Sequence, residues 1–148
     1  MIMENLDNQI NKENCLEITA QRQNFTEIKP WLEKSLDEIN CQGKPRKQLL
    51  IAVDEIFTNI ASYAYDNPDG TAQIKINYNE TETTVELKFV DSGIPYNPLT
   101  QDDPDIKQRI EERTVGGLGI FMVKKMMDSI EYHREDNKNI LILKKKIA

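Results

Sequence analysis

The chain has 148 residues and a mass of 17.2 kDa, a length that predicts one domain. Hydrophobic residues make up 39% of it, enough for an apolar core, so the composition excludes a chain that is disordered throughout. The formal net charge of -6 opposes nonspecific attraction to polyanions. We therefore expect neither nucleic acid nor an anionic membrane as a general partner.

The amino-terminal residues and the cysteines predict a cytoplasmic protein. Residues 1–14 lack the apolar segment of a signal peptide, and the longest apolar run, Leu49 to Val53, is far shorter than the about 20 residues that cross a bilayer. Two cysteines, Cys15 and Cys41, are too few for a disulfide framework, and a single histidine argues against a His/Cys metal cage. We expect both thiols to be reduced.

Apolar periodicity predicts one domain over 15–148, preceded by a loosely ordered tail over 1–14. In chain order it predicts an edge strand at 15–20, a helix at 26–39 with Thr26 as its N-cap, a helix at 46–65, a hairpin of 74–78 with 85–89, a long connection at 94–115, a helix at 120–127, and a hairpin of 130–132 with 139–143. The order βααββαββ favours an α+β fold in which one mostly antiparallel sheet has its helices on one face.

Glu55 and Asn59 form an i, i+4 pair on the second predicted helix. Their side chains project about 40° apart around the helix axis and away from the apolar stripe. A solvated polar face has this pattern. So does a functional site, because a carboxylate and an amide oxygen on one face can bind Mg²⁺ and a phosphate group. The pair alone leaves both interpretations open.

Asp91-Ser92-Gly93 follows the strand predicted over 85–90. An acid and a glycine after a strand are common in an ordinary turn. The functional interpretation is that the carboxylate accepts a hydrogen bond from an exocyclic amine, such as that of adenine, while glycine lets a planar ring approach the backbone.

Gly116-Gly117-Leu118-Gly119 opens the third predicted helix. Glycines there destabilise a helix, but they expose backbone N–H groups at the positive end of its dipole, where phosphates bind. A flexible hinge is the alternative. The run is not a Rossmann GxGxxG, since no parallel βαβ unit surrounds it, and it is not a Walker A loop, since GxxxxGK followed by Ser or Thr is absent.

In this order the three motifs resemble the N, G1 and G2 boxes of the GHKL ATP-binding fold. The resemblance is carried by VDEIFTNIASYAY at 53–65, VDSGIPYNP at 90–98 and GGLGIFMVKKMMD at 116–128. These stretches are most similar to the small bacterial anti-sigma regulatory factors, the serine/threonine protein kinases of partner-switching systems. The resemblance covers roughly residues 15 to 145.

The resemblance implies an ATP pocket between helices and sheet, with residues 94–115 as a mobile lid. The roles it implies are a catalytic base at Glu55, a Mg²⁺ ligand at Asn59, an adenine-reading acid at Asp91, and nucleotide contacts at Gly93, Gly117 and Gly119. It also implies partners: a STAS-type anti-anti-sigma protein as substrate, a sigma factor as competitor, and a second copy in a homodimer.

The sequence departs from the family pattern at four places, one of them a pair of residues. Tyr63 stands where His is usual, Ile60 where Ala is usual, and Val115 where Arg often precedes the glycine run, while Lys138-Asn139 lies near the usual place of a Gly-Thr pair. Arg109 and Arg113 are therefore only candidates for a contact with the γ-phosphate, with exposed lid charges as the alternative.

Two other functions remain open on the sequence alone. One is an ATP-gated partner-binding module that transfers no phosphate. The other is the catalytic domain of a histidine kinase. Against the latter, we find no helix with a phosphoacceptor histidine before the domain, and His133 falls in the last predicted hairpin.

Overall fold

The computed structural model describes residues 11–100 and 117–148, and they form a five-stranded antiparallel sheet with three α-helices. This confirms the predicted α+β class and the order of elements. The strands are β1 (Asn11–Thr19), β2 (Thr71–Asn79), β3 (Thr84–Asp91), β4 (Ser129–Glu135) and β5 (Lys138–Lys146), and the helices are α1 (Phe25–Glu38), α2 (Gly43–Tyr63) and α3 (Gly117–Met126). Short 3₁₀ turns lie at Arg22–Asn24 and Pro98–Thr100.

Strand β3 lies at the centre of the sheet. The strand order is β1-β2-β3-β5-β4, so β5 lies between β3 and β4 although it follows both in sequence. The last residue of β3, Asp91, is paired with Ala72 of β2 on one side and with Asn139 of β5 on the other. The strand end predicted to carry function is therefore enclosed by two neighbouring strands.

One face of the sheet is apolar and packs against the helices. Alternate residues of β3, namely Val85, Leu87 and Phe89, are buried, and the row ends in buried Asp91. All three helices add buried aliphatic or aromatic side chains to the same core, for example Phe57 of α2. Asp91 thus places a carboxylate at the border of a continuous apolar layer.

Several predicted boundaries are wrong. Helix α2 begins at Gly43 rather than at Arg46, and α3 begins at Gly117 rather than at Ile120. Strand β1 begins at Asn11, because polar residues assigned to the tail pair through their backbones with β2. Helix α1 has Asn24 as its N-cap rather than Thr26, whose hydroxyl donates to the carbonyl of Gln23 in the preceding turn. In the described part of the chain, no helix is long and apolar enough to cross a bilayer.

Candidate functional site

A pocket that is open to solvent lies between α2 and the carboxyl end of β3, with about 420 Å³ of space, the solvent at its mouth included. Its walls come from α2, from three strands and from the segment after β3: Ile56, Asn59, Ile60, Ala64, Phe89, Asp91, Tyr96, Pro98, Tyr132, Asn139 and Leu141. Among the side chains that the structure describes, at 14–100 and 119–148, the buried polar ones are Ser35, Asn59, Asp91 and Asn139, and the last three all line this pocket. Buried polarity is therefore concentrated at one place.

Asn59 is the clearest indication of a ligand. Asn59 is only 5% exposed, and neither Oδ1 nor Nδ2 of its side chain has a hydrogen-bond partner among the described residues. Leaving a buried amide unsatisfied costs about 1–3 kcal/mol, so folded proteins contain few such groups. The alternative interpretation, that Asn59 belongs to a solvated polar face, is therefore wrong. An amide oxygen that lacks a partner fits a magnesium ion, which takes one or two protein oxygens beside phosphates and waters.

Glu55 lies one helical turn before Asn59 and is half-buried where α2 meets α3. Gly119 packs directly against it, because a β-carbon at position 119 would overlap Oε2 of Glu55. Burial, and secondarily the charge of Asp54, raise the pKa of the Glu55 carboxyl. A raised pKa makes a carboxylate a better base near neutral pH. The first and third motifs thus meet at this contact.

Asp91 is 6% exposed and uses one of its two oxygens within the protein. Its Oδ1 accepts hydrogen bonds from the Gly93 N–H and from Nδ2 of Asn139, each at 2.9 Å. Its Oδ2 has no partner among the described residues, although Asp91 lines the pocket. The hydrogen bond from the Gly93 N–H is typical of an ordinary turn, whereas the burial of Asp91 and its hydrogen bond from Asn139 are not. Oδ2 therefore keeps a capacity to accept hydrogen bonds that the described residues do not use.

Gly93 is required by the end of α2. A β-carbon at position 93 would overlap the carbonyl oxygen of Ala64, which also accepts the Ile94 N–H at 2.9 Å. The close approach seen in the structure is therefore to a helix backbone, whereas the sequence suggested approach to a planar ring. Contact of Gly93 with a nucleotide remains a prediction.

Tyr65, just after α2, anchors the turn at the end of β3. Its hydroxyl donates to the Thr71 carbonyl at 2.6 Å and accepts the Ser92 N–H at 2.7 Å. Burial is the main cause of the raised pKa of Tyr65. Sequence reasoning included this residue in the first motif but assigned it no role.

The β4–β5 hairpin holds the same turn from the other side. Arg134 donates from Nη1 to the Gly93 carbonyl at 2.9 Å, and Asn139 donates from Nδ2 to the Ile94 carbonyl at 2.8 Å. Neither residue was predicted to belong to the site. The departure from the family pattern at Lys138-Asn139 was the available indication for Asn139, and no sequence feature pointed to Arg134.

Of the predicted lid, the structure describes only residues 94–100, and this part contributes Tyr96 and Pro98 to the wall of the pocket. Tyr96 packs its ring against Tyr63, with centroids 5.8 Å apart, and Pro98 is buried. The rest of the lid, with Arg109 and Arg113, and also Gly116, lies outside the described residues. Gly117 is the first residue of α3, the end at which backbone N–H groups remain available to a phosphate.

Comparison with known proteins identifies the fold and the family. The family model of the histidine kinase-like ATPase domain matches residues 18–145. The RsbU and RsbW domains of a Mycobacterium tuberculosis protein, solved as a crystal structure, match 90% of this chain and 32% of that one, with a TM-score of 0.63 and 14% identity.

Two curated relatives are similar in sequence. The chain is 27% identical over 132 residues to the serine/threonine-protein kinase BtrW of Bordetella bronchiseptica, an alignment that spans 89% of this chain and 92% of BtrW. It is 28% identical over 102 residues to the serine-protein kinase RsbW of Bacillus mycoides, spanning 66% of this chain and 62% of RsbW. On the family match, which covers most of its length, the chain belongs to the histidine kinase-like ATPase domain family.

Proposed function

We propose that this chain is a cytoplasmic serine/threonine protein kinase that uses ATP and Mg²⁺ and acts as an anti-sigma regulatory factor in a partner-switching system. In this proposal it is a homodimer, its substrate is a STAS-type anti-anti-sigma protein, and a sigma factor competes for it. Membership of an ATPase family supports the nucleotide, and the relatives named as protein kinases support the reaction. The observation that carries the proposal is the buried, unpartnered amide of Asn59 one turn from Glu55.

Each motif has a separate task in this reaction. Asn59 would hold Mg²⁺ through Oδ1, and the ion would neutralise charge on the phosphates. Asp91 accepts a hydrogen bond from the exocyclic amine of adenine through Oδ2. Glu55 takes the proton of the serine hydroxyl as the serine oxygen bonds to the γ-phosphorus and ADP leaves, and its raised pKa suits this role. Gly119 leaves space for the Glu55 carboxylate beside the first turn of α3.

The test is a transfer assay with radiolabelled ATP and the partner that co-purifies from the native cell. Wild type, Glu55→Gln and Asn59→Ala are compared side by side. Glu55→Gln keeps the size of the side chain but cannot accept a proton, so transfer should fall by about 10² to 10⁴ while ATP affinity survives. Asn59→Ala should weaken the Mg²⁺-dependent part of ATP binding as well as transfer.

The chemistry of the label separates the competing functions. Acid-stable phosphate on serine or threonine supports the proposal. Acid-labile phosphate on histidine would instead identify a histidine kinase. If no residue is labelled while ATP still changes the affinity for the partner, the chain is an ATP-gated binding module and the kinase proposal is wrong.

A further inference from the structure

Asn139 of β5 lies beside Asp91 at the inner wall of the pocket, and every polar atom of its amide is used. Nδ2 donates to Oδ1 of Asp91 at 2.9 Å and to the Ile94 carbonyl at 2.8 Å. Oδ1 accepts the Tyr96 N–H at 3.3 Å and the Tyr132 hydroxyl. Rotating the amide by half a turn would place donor against donor and acceptor against acceptor. Its orientation is therefore determined, with the NH₂ group toward Asp91.

This orientation of the Asn139 amide determines which oxygen of Asp91 remains available in the pocket. The Gly93 N–H and Nδ2 of Asn139 both donate to Oδ1, so this oxygen is occupied within the protein. Of the two Asp91 oxygens, Oδ2 is therefore the one left to accept a hydrogen bond in the pocket.

We propose that Asn139 is a positioning residue that makes the pocket select a 6-amino purine over a 6-oxo purine. A 6-amino group donates to Oδ2 of Asp91, whereas a 6-oxo group would place an acceptor against an acceptor. In this proposal Asn139 acts by orienting the Asp91 carboxylate, and Asp91 contacts the base. The inference rests on the proposed nucleotide site and adds the residue that decides its base specificity.

The experiment compares the affinities of the magnesium complexes of ATP and of inosine triphosphate by calorimetry on the full chain. The two nucleotides differ at purine position 6, so their affinity ratio isolates this contact. Wild type should favour ATP. In Asn139→Ala the carboxylate loses one of its two donors, and the ratio should fall by about fivefold or more, in line with one hydrogen bond to a charged group.

Two further variants distinguish positioning from support of the fold. Arg134→Ala removes the bond to the Gly93 carbonyl from the same hairpin without a contact to Asp91. It should lower both affinities equally and leave the ratio unchanged. Asn139→Thr restores one donor and should recover part of the ratio lost in Asn139→Ala.

Asp91→Asn gives the sharpest prediction. Two donors already point at the Oδ1 position, so the new amide must place its oxygen there and its NH₂ in the pocket. Its base preference should therefore invert toward inosine triphosphate. Adding Asn139→Ala removes one of the two orienting donors and should weaken that inversion.

The outcomes separate this inference from the function on which it rests. If Asn139→Ala lowers the affinity for both nucleotides but keeps their ratio, Asn139 is merely structural and the inference is wrong. If Asp91→Asn still prefers ATP, the assignment of Oδ2 to the base is wrong. Failure of the wild type to bind either nucleotide would instead refute the nucleotide site itself, and this inference with it.

Discussion

The carboxylate of Glu55 occupies the space that a side chain at position 119 would fill. Helix α2 carries the acid and helix α3 carries the glycine, so this contact joins two motifs that are distant in sequence. Glu55, the base proposed for phosphotransfer, is therefore in contact with α3, the helix that begins at the glycine run. Small changes in α3 should move the Glu55 carboxylate.

Gly119→Ala should move the Glu55 carboxylate without unfolding the protein. The atom in the way is the end of a flexible side chain, which can yield, and alanine raises helix propensity by about 1 kcal/mol relative to glycine. We expect the free energy of unfolding to change by less than about 1 kcal/mol and phosphotransfer to fall by about tenfold or more, since misplacing a catalytic group by about 1 Å is costly. Met122→Ala, an exposed change in the same helix, is the control and should keep wild-type transfer. Full activity in Gly119→Ala would contradict the assignment of Glu55.

Gly93→Ala should destabilise the fold instead. Its β-carbon meets the carbonyl oxygen of Ala64, and a helix backbone cannot move aside as a glutamate side chain can. We expect a loss of about 1–3 kcal/mol in the free energy of unfolding, measured by urea denaturation without nucleotide. Ser92→Ala, an exposed neighbour, should stay within about 0.5 kcal/mol of wild type. Equal stability of the two variants would show that the turn can shift away from α2.

Asn59→Leu should make the nucleotide-free protein more stable while removing nucleotide binding. It replaces an unsatisfied buried amide with an apolar group of similar size, so we expect a gain of about 1 kcal/mol in thermal or urea denaturation. Ser35→Ala is the matched control, since Ser35 is also buried but its hydroxyl is bonded to the Trp31 carbonyl at 3.0 Å. That variant should lose about 0.5–1.5 kcal/mol. A destabilised Asn59→Leu variant that still binds ATP would refute a ligand role for Asn59.

The acid limb of the pH–rate profile should report the pKa of Glu55. Transfer needs the unprotonated carboxylate, so the rate should fall as the pH drops through a pKa raised above that of an ordinary glutamate. Asp54→Asn removes the like charge that contributes to this shift, and the limb should move to lower pH. Added salt should have the same effect on wild type, because Asp54 is exposed. A limb that does not move in Asp54→Asn would exclude Glu55 as the titrating group.

The same shift predicts how stability depends on pH. Because the folded pKa of Glu55 is raised, its contribution to stability is fully present below the unfolded pKa and is lost as the pH rises through the folded value. Glu55→Gln does not titrate. Its stability relative to wild type should therefore increase over that pH range, as followed by urea denaturation at several pH values. A constant difference across the range would contradict the raised pKa.

Local sequence patterns were sufficient for the class of fold and for the motifs. The alternation of Val85, Leu87 and Phe89 predicts a strand with one buried face, and the spacing of Glu55 and Asn59 places them on one side of a helix. These are short-range properties, because the periods of helix and strand determine which neighbouring side chains share a face.

The tertiary structure decided which of those residues are buried and what they touch. Helical spacing predicts that Asn59 points away from the apolar stripe of its helix, yet Asn59 is buried, because the sheet and the segment after β3 form walls around it. Asp91 meets Asn139 only because β5, rather than β4, pairs with β3. Strand order and register depend on long-range packing, and no local period encodes them. The sequence by itself therefore determined the candidate acid, amide and glycines, whereas the partners that orient them follow from how distant strands and helices come together.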